Sequence, residues 1–275
     1  MEWINGCVQS KKPHYYLRVK LNIKKIIIYI ISFLPDTILE KLEKIFSISR
    51  GKGFNFSLKL EFRNFLKFRR KIETFVDIGS NKGLYTDEIL KIYPNATGYL
   101  FEPDNHNYQF LKKKYKKYKK NIFIINNALS NKKKVSILYA NKKSSGQTSL
   151  FKRNIKHLGQ NFKKIQKVKV IKMSTFFNKF IKKNIDFCKI DVEGAEYNCL
   201  KGFEKKIKFF KYIQFEFNAC NVDSKIFFRD FWYFFKNNNF KLYRLTPSGP
   251  TLIKKYIDED EFFGMNNFIA ENISL

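Results

Sequence analysis

Phe75-Val-Asp-Ile-Gly-Ser-Asn-Lys-Gly-Leu-Tyr85 joins an apolar run to a turn with two glycines and then to a segment with helical character. A glycine turn between a strand and a helix is the setting in which a backbone can hold a ligand closely. Gly79 permits the tight turn and the ligand's approach, and Gly83 lets the start of the helix pack closely on the strand. Asp77 sits at the strand's end, where its carboxylate can face the ligand, and Asn81 stands between the glycines. The order Asp-x-Gly-x-Asn-x-Gly is not the dinucleotide pattern G-x-G-x-x-G. A pyrophosphate favours glycine at the position Asn81 holds, and a free helix N-terminus. A carboxylate suits instead a cationic ligand with an ammonium and a sulfonium.

Outward from this stretch the chain alternates between strand and helix patterns. Strands are expected over residues 72–78, 97–101, 121–126, 168–172, 185–190, 212–217 and 240–245. Short ones are expected over 134–139 and 267–270, and helices over 82–92, 104–119, 174–183 and 223–237. Such alternation predicts a mostly parallel sheet with helices on both faces. In open sheets of this kind ligands bind beyond the carboxyl ends of the strands, and acids gather at those ends here. Glu102 ends the second strand, 23 residues after Gly79, close to the offset at which a carboxylate grips ribose hydroxyls. Asn126 or Asn127, after the third strand, is a candidate for the adenine edge. Asp191, Glu193 and Glu196 follow the strand 185–190 in a chain with only 24 acidic residues, and Glu216 ends the next strand.

The segments VDIGSNKGLYT, YLFEPD, FCKIDVEGAEYNCLKGF and IQFEFN together resemble the FkbM-type methyltransferases, over about residues 72–270. The resemblance implies a class I, Rossmann-like fold, with a seven-stranded, mostly parallel sheet whose last strand is antiparallel. It implies S-adenosylmethionine as methyl donor and O-methylation as the usual reaction, often on sugars or polyketide-type metabolites. The turn from Asp77 to Gly83 and Glu102 match the family's cofactor positions, so the expected cofactor residues are Asp77, Gly79, Asn81, Gly83, Glu102 and Asn127.

A protonated hydroxyl is a poor nucleophile, so a base or a metal must assist. Asp191 or Glu193 is a candidate base, and Glu216 is the other. Alternatively, Asp191 and Glu216 jointly hold a divalent cation that acidifies the hydroxyl. No dedicated metal site is expected, because Cys7, Cys188, Cys199, Cys220 and the three histidines lack ligand spacing. The Ser145-Gly146-Gln147-Thr148-Ser149 loop is a candidate acceptor cover, and the stripe Phe227, Phe228, Phe231, Trp232, Phe234 and Phe235 is expected in the core.

Residues 1–70 read as a basic, helical N-terminal extension, and 71–275 as the methyltransferase domain. Within the extension, Ile26–Leu34 is apolar but too short to span a bilayer. A buried helix is the favoured expectation there. Residues 20–34 lying on an anionic membrane surface, with Lys24 and Lys25 at the headgroups, is the alternative. The net charge is +30, yet only eight of the 54 basic residues are Arg, the preferred residue for phosphate and base recognition. A solvated lysine surface is therefore favoured over a nucleic-acid face. The expected acceptor is a hydroxyl of a small molecule or glycan, such as a sugar or polysaccharide precursor. The location is expected to be cytoplasmic, with peripheral contact at the inner face of the membrane as an option. An RNA ribose methyltransferase and a non-catalytic membrane-associated scaffold of the same fold are the rival readings. A base-methylating enzyme is disfavoured by Asp191-Val-Glu-Gly194 where an N-P-P-F/Y-like motif would stand, and a nicotinamide dehydrogenase by Asn81.

Overall fold

The computed structural model describes residues 14–53, 57–68, 71–141, 148–181 and 183–275, without side chains for 14–22. The chain forms two compact units, residues 1–46 and 47–275. The expected division at residue 70 falls inside the second unit, because the helix over 58–66 contributes Phe62 and Phe65 to that unit's core.

The first unit carries α1 (His14–Ile31) and most of α2 (Asp36–Ser49). The favoured expectation of a buried helix fails here: Ile26, Ile27, Ile28, Ile30 and Ile31 of α1 are all exposed. No helix of the described residues is long and apolar enough to cross a membrane. The side chains of residues 20–22 lie outside the described residues, as do Cys7 and residues 145–147 of the expected acceptor cover.

The second unit opens with α3 (Leu58–Leu66), capped by Ser57, whose hydroxyl accepts from the Leu60 amide. Then follow β1 (Thr74–Ile78), α4 (Leu84–Ile92), β2 (Thr97–Phe101), α5 (Asn105–Lys114), β3 (Ile122–Ile125), β4 (Ala128–Leu129), β5 (Lys134–Ala140), β6 (Lys163–Ile171) and α6 (Met173–Phe180). The remainder is β7 (Ile185–Ile190), α7 (Glu196–Lys201), β8 (Phe210–Phe217), α8 (Cys220–Ser224), α9 (Phe228–Asn237), β9 (Phe240–Thr246), β10 (Gly249–Leu252) and β11 (Asn266–Asn272).

The main sheet has the order β10-β9-β11-β8-β7-β1-β2-β3. From β8 to β3 its pairs are parallel, and β11 runs antiparallel to both β8 and β9. The sheet therefore has eight strands rather than seven. The extra one, β10, returns on β9 as a hairpin edge. Alternation along the strands divides the core into two layers. Phe75, Phe187, Tyr212 and Ile269 face one side, with α3 and α4. Val76, Cys188, Ile213 and Phe268 face the other, with α6 and α9.

Two expected elements differ. The strand expected over 168–172 belongs to β6, which lies outside the main sheet in a three-stranded sheet, β4-β6-β5. Exposed Lys167 and Lys169 alternate with buried Val168 and Val170, a one-faced pattern that a strand covered on both sides cannot carry. The helix expected over 223–237 is broken at Lys225, whose φ of 55° ends α8 before α9 begins.

Candidate active site

The parallel pairing of β1 with β7 sets Asp77 beside Lys189 and Ile78 beside Ile190, so the turns leaving the two strands lie against each other. The Asp191 amide donates to the Ile78 carbonyl at 2.9 Å. Gly79 adopts φ 83°, and a β-carbon there would stand 1.9 Å from the Asp191 carbonyl oxygen. Asn81 (φ 48°) and Glu193 (φ 54°) are non-glycine residues held left-handed, one in each turn. Such conformations cluster at ligand sites, where the surrounding structure enforces them.

On the β2 side, Glu102 is almost fully buried. Its carboxylate accepts from the Asn81 amide at 2.7 Å and the Asp104 amide at 2.7 Å. Burial pushes its pKa up to about 7, against the pull of those amides. Glu102, Gly79, Asn81 and Asn127 border a narrow cleft of about 40 Å³ whose other walls include Leu129, Leu138, Leu150 and Val192. A carboxylate on one side and branched apolar side chains on the other suit a ribose with its base.

Asp77 is buried and accepts from the Thr86 hydroxyl at 2.6 Å, and burial pushes its pKa up to about 6. Gly83 (φ 71°) caps the start of α4, and a β-carbon there would stand within 3 Å of Leu111 of α5 and of Tyr115 just after it. The Tyr115 hydroxyl donates to the Gly83 carbonyl at 2.7 Å. Asn127 lines the cleft, and its side-chain amide is turned to the Lys169 carbonyl at 3.3 Å. The Asn126 amide donates to the Glu102 carbonyl at 2.9 Å.

A larger cavity of about 400 Å³ shares Gly79, Asn81, Asp191 and Glu193 with the cleft, and Asp77, Lys189 and Glu216 also line it. The acids at the end of β7 separate into two roles. Glu196 folds back on its own turn and accepts from the Val192 and Gly194 amides at 2.9 Å each. Asp191 and Glu193 face the cavity. Glu193 accepts from the Cys220 thiol at 2.9 Å and lies 3.5 Å from Arg153. Burial, and then the charge of Asp191, pushes its pKa up to about 7. Burial and the same neighbour hold Glu216 well above the usual carboxylate range. Asp191 is the more open, with a third of its side chain exposed, and lies 3.5 Å from the Lys189 ammonium.

Among the described residues, no three His, Cys, Asp or Glu side chains come together as a metal ion would need. Arg153, Lys189, Cys220 and Glu61 belong to this constellation without having been singled out for it. Lys189 stands two residues before Asp191, on the same side of β7, and that spacing was a usable signal. Nothing local marks Glu61 or Arg153.

The Methyltransferase FkbM domain matches residues 77–242 of the chain. No curated protein matches this sequence. Among solved structures, the O-methyltransferase from Bacillus cereus in complex with SAH is 10% identical, covering 86% of this chain and 91% of its own, with a TM-score of 0.42. A SAM-dependent O-methyltransferase from Thermotoga maritima is 9% identical over 84% and 70% of the two chains, with a TM-score of 0.41. Precorrin-6y C5,15-methyltransferase from Geobacter metallireducens is 10% identical over 76% and 85%, with a TM-score of 0.40. At these identities the likeness concerns the fold alone.

Proposed function

The chain belongs to the FkbM methyltransferase family and uses S-adenosylmethionine, and from that premise we propose that it methylates a hydroxyl of a sugar or polysaccharide precursor. The supporting observation is a cavity of about 400 Å³ that adjoins the glycine turn and is lined by four carboxyl groups, Asp77, Asp191, Glu193 and Glu216. When bound, the cofactor supplies a methyl group already activated by its sulfonium. The protein's own part is to place the acceptor oxygen in line and to take its proton.

Glu102 holds the ribose hydroxyls, and the turn from Gly79 to Gly83 bounds the methionine end. Asp191 takes the proton, because it is the open carboxylate of the four. Glu193 is already engaged by Cys220 and Arg153. Glu216, its pKa held high by burial, lines the same cavity beside Asp191. In the first unit, the exposed isoleucines of α1 rest on an anionic membrane surface.

The test is calorimetry of S-adenosylmethionine binding to wild type, Glu102→Ala and Asp191→Asn, then methyl transfer to sugar acceptors. Binding should weaken in Glu102→Ala. Asp191→Asn should keep binding and lose about 100-fold or more in kcat. A folded wild type that binds no cofactor would overturn the reading, and an active Asp191→Asn would remove that residue from its role.

A further inference from the structure

A cation of the protein's own stands beside Asp191. Lys189 is 3% exposed, and its ammonium lies 3.5 Å from Asp191 and 3.2 Å from Glu61. A buried ammonium is costly unless paired and hydrogen-bonded. The pairing comes from α3, which lies outside the 77–242 match. Glu61 also accepts from Gln214 at 2.8 Å and, at 3.4 Å, from Asn267. Gln214 in turn accepts from the Tyr85 hydroxyl at 2.6 Å. The Tyr85 ring stands 5.4 Å from the Lys189 ammonium.

Burial raises the Glu61 pKa, but the Lys189 charge and the three donors converging on its carboxyl group oppose that rise and favour the ionic pair. Burial alone would lower the Lys189 pKa, but the charges of Glu61, Asp191 and Glu216 outweigh it and hold it above its usual value. Lys189 is thus held in its charged form. Its anchor arrives through a contact spanning 128 residues of sequence.

We propose that Lys189 is a positioning residue: clamped by Glu61, it orients the Asp191 carboxylate into the acceptor cavity, which makes α3 part of the active site. This rests on the reading of Asp191 as the base. The groups facing Asp191 are Lys189 on its own strand, Glu61 from α3, Asp77 from β1, Glu216 from β8, Glu193 in the same turn and Glu196 from α7. Arg153 and Lys82 line the same cavity, but Arg153 is paired with Glu193 and Asp223, and Lys189 is the cation within 4 Å of Asp191 among the described residues.

The experiment is a carbon-13 carboxyl NMR titration of Asp191 in the full chain, needing no acceptor. Lys189→Met alone strands Glu61 as a buried charge and risks unfolding, so the pair Glu61→Leu/Lys189→Met is used. Replacing a buried ion pair with apolar residues of similar volume is commonly tolerated. The Asp191 midpoint should rise in that double variant, which removes the cation 3.5 Å away. In Glu61→Gln it should move the other way, because Lys189 is freed from its competing partner. Midpoints that stay put in both variants, or move the same way, would overturn the proposal. Calorimetry with S-adenosylmethionine on the same samples separates the two readings. A wild type that binds none sinks the functional reading, whereas intact binding with an unmoved Asp191 sinks only this one.

Discussion

Glu196 shows how one residue's placement sets a pH dependence. Its carboxyl group is buried against the Val192 and Gly194 amides. Burial pushes its pKa up to about 7, more than those amides pull it down. In the unfolded chain it titrates near 4.3, roughly the ordinary glutamate value. The folded state therefore binds more protons between those two values, and stability must fall as pH rises through that window. The contribution is fully present below the unfolded pKa and lost as pH passes the folded one. Glu102 and Glu193, also raised by burial to about 7, act in the same direction. Urea midpoints measured from pH 5 to pH 8 should decline in wild type and decline less in Glu196→Gln. Equal slopes would show that Glu196 is ionised or neutral in both states alike.

At the scale of elements, α9 locks the far side of the sheet. Its Phe231 stacks on Phe215 of β8 at 4.8 Å between ring centroids, and Phe235 stacks on the same ring at 5.2 Å. Phe268 of β11 completes the cluster at 5.4 Å from Phe215. Of the six aromatic residues expected in the core, Phe228, Phe231 and Phe235 are buried, and Trp232 and Phe234 are partly buried. Phe227 is exposed, because it precedes the helix. Phe231→Ala removes a ring from a filled layer and should cost about 3–5 kcal/mol in denaturant unfolding. A loss below about 1 kcal/mol would mean that the layer repacks around the gap. The helix tolerates only its own periodicity: the break at Lys225 lets α9 start at the residue that turns Phe228, Phe231 and Phe235 inward together.

Across the whole molecule, the +30 charge is carried almost entirely by lysine. Its field draws the protein toward anionic surfaces without specifying one. The exposed isoleucines of α1 add the apolar component that charge alone lacks, beside Lys24 and Lys25. On the membrane-surface reading, Ile27→Lys/Ile30→Lys should reduce co-sedimentation with phosphatidylglycerol vesicles by about tenfold or more, although it adds positive charge. Binding that stays equal or increases would make the attraction purely electrostatic and leave α1 without that role.

The turn around Gly79 was legible in the sequence because its parts are consecutive: strand, glycine and helix start are local events, and their spacing sets the backbone path. The acids at strand ends were legible for the same reason, since ending a strand at the carboxyl edge places its last residue there. Sequence periodicity also determined the layered sheet, as strands buried on both faces read as continuous apolar runs. Tertiary structure alone decided which of those acids meet. Asp191 and Glu193 face the cavity while Glu196 turns back on its own loop, a choice made by left-handed φ angles at Glu193 and Gly194. It likewise decided that Glu61 reaches Lys189 and that Arg153 reaches Glu193. Those contacts depend on strand order and on what packs over the sheet. Side chains far apart in the chain carry no mutual mark until the backbone brings them within a few ångströms, where charge and burial act on both at once.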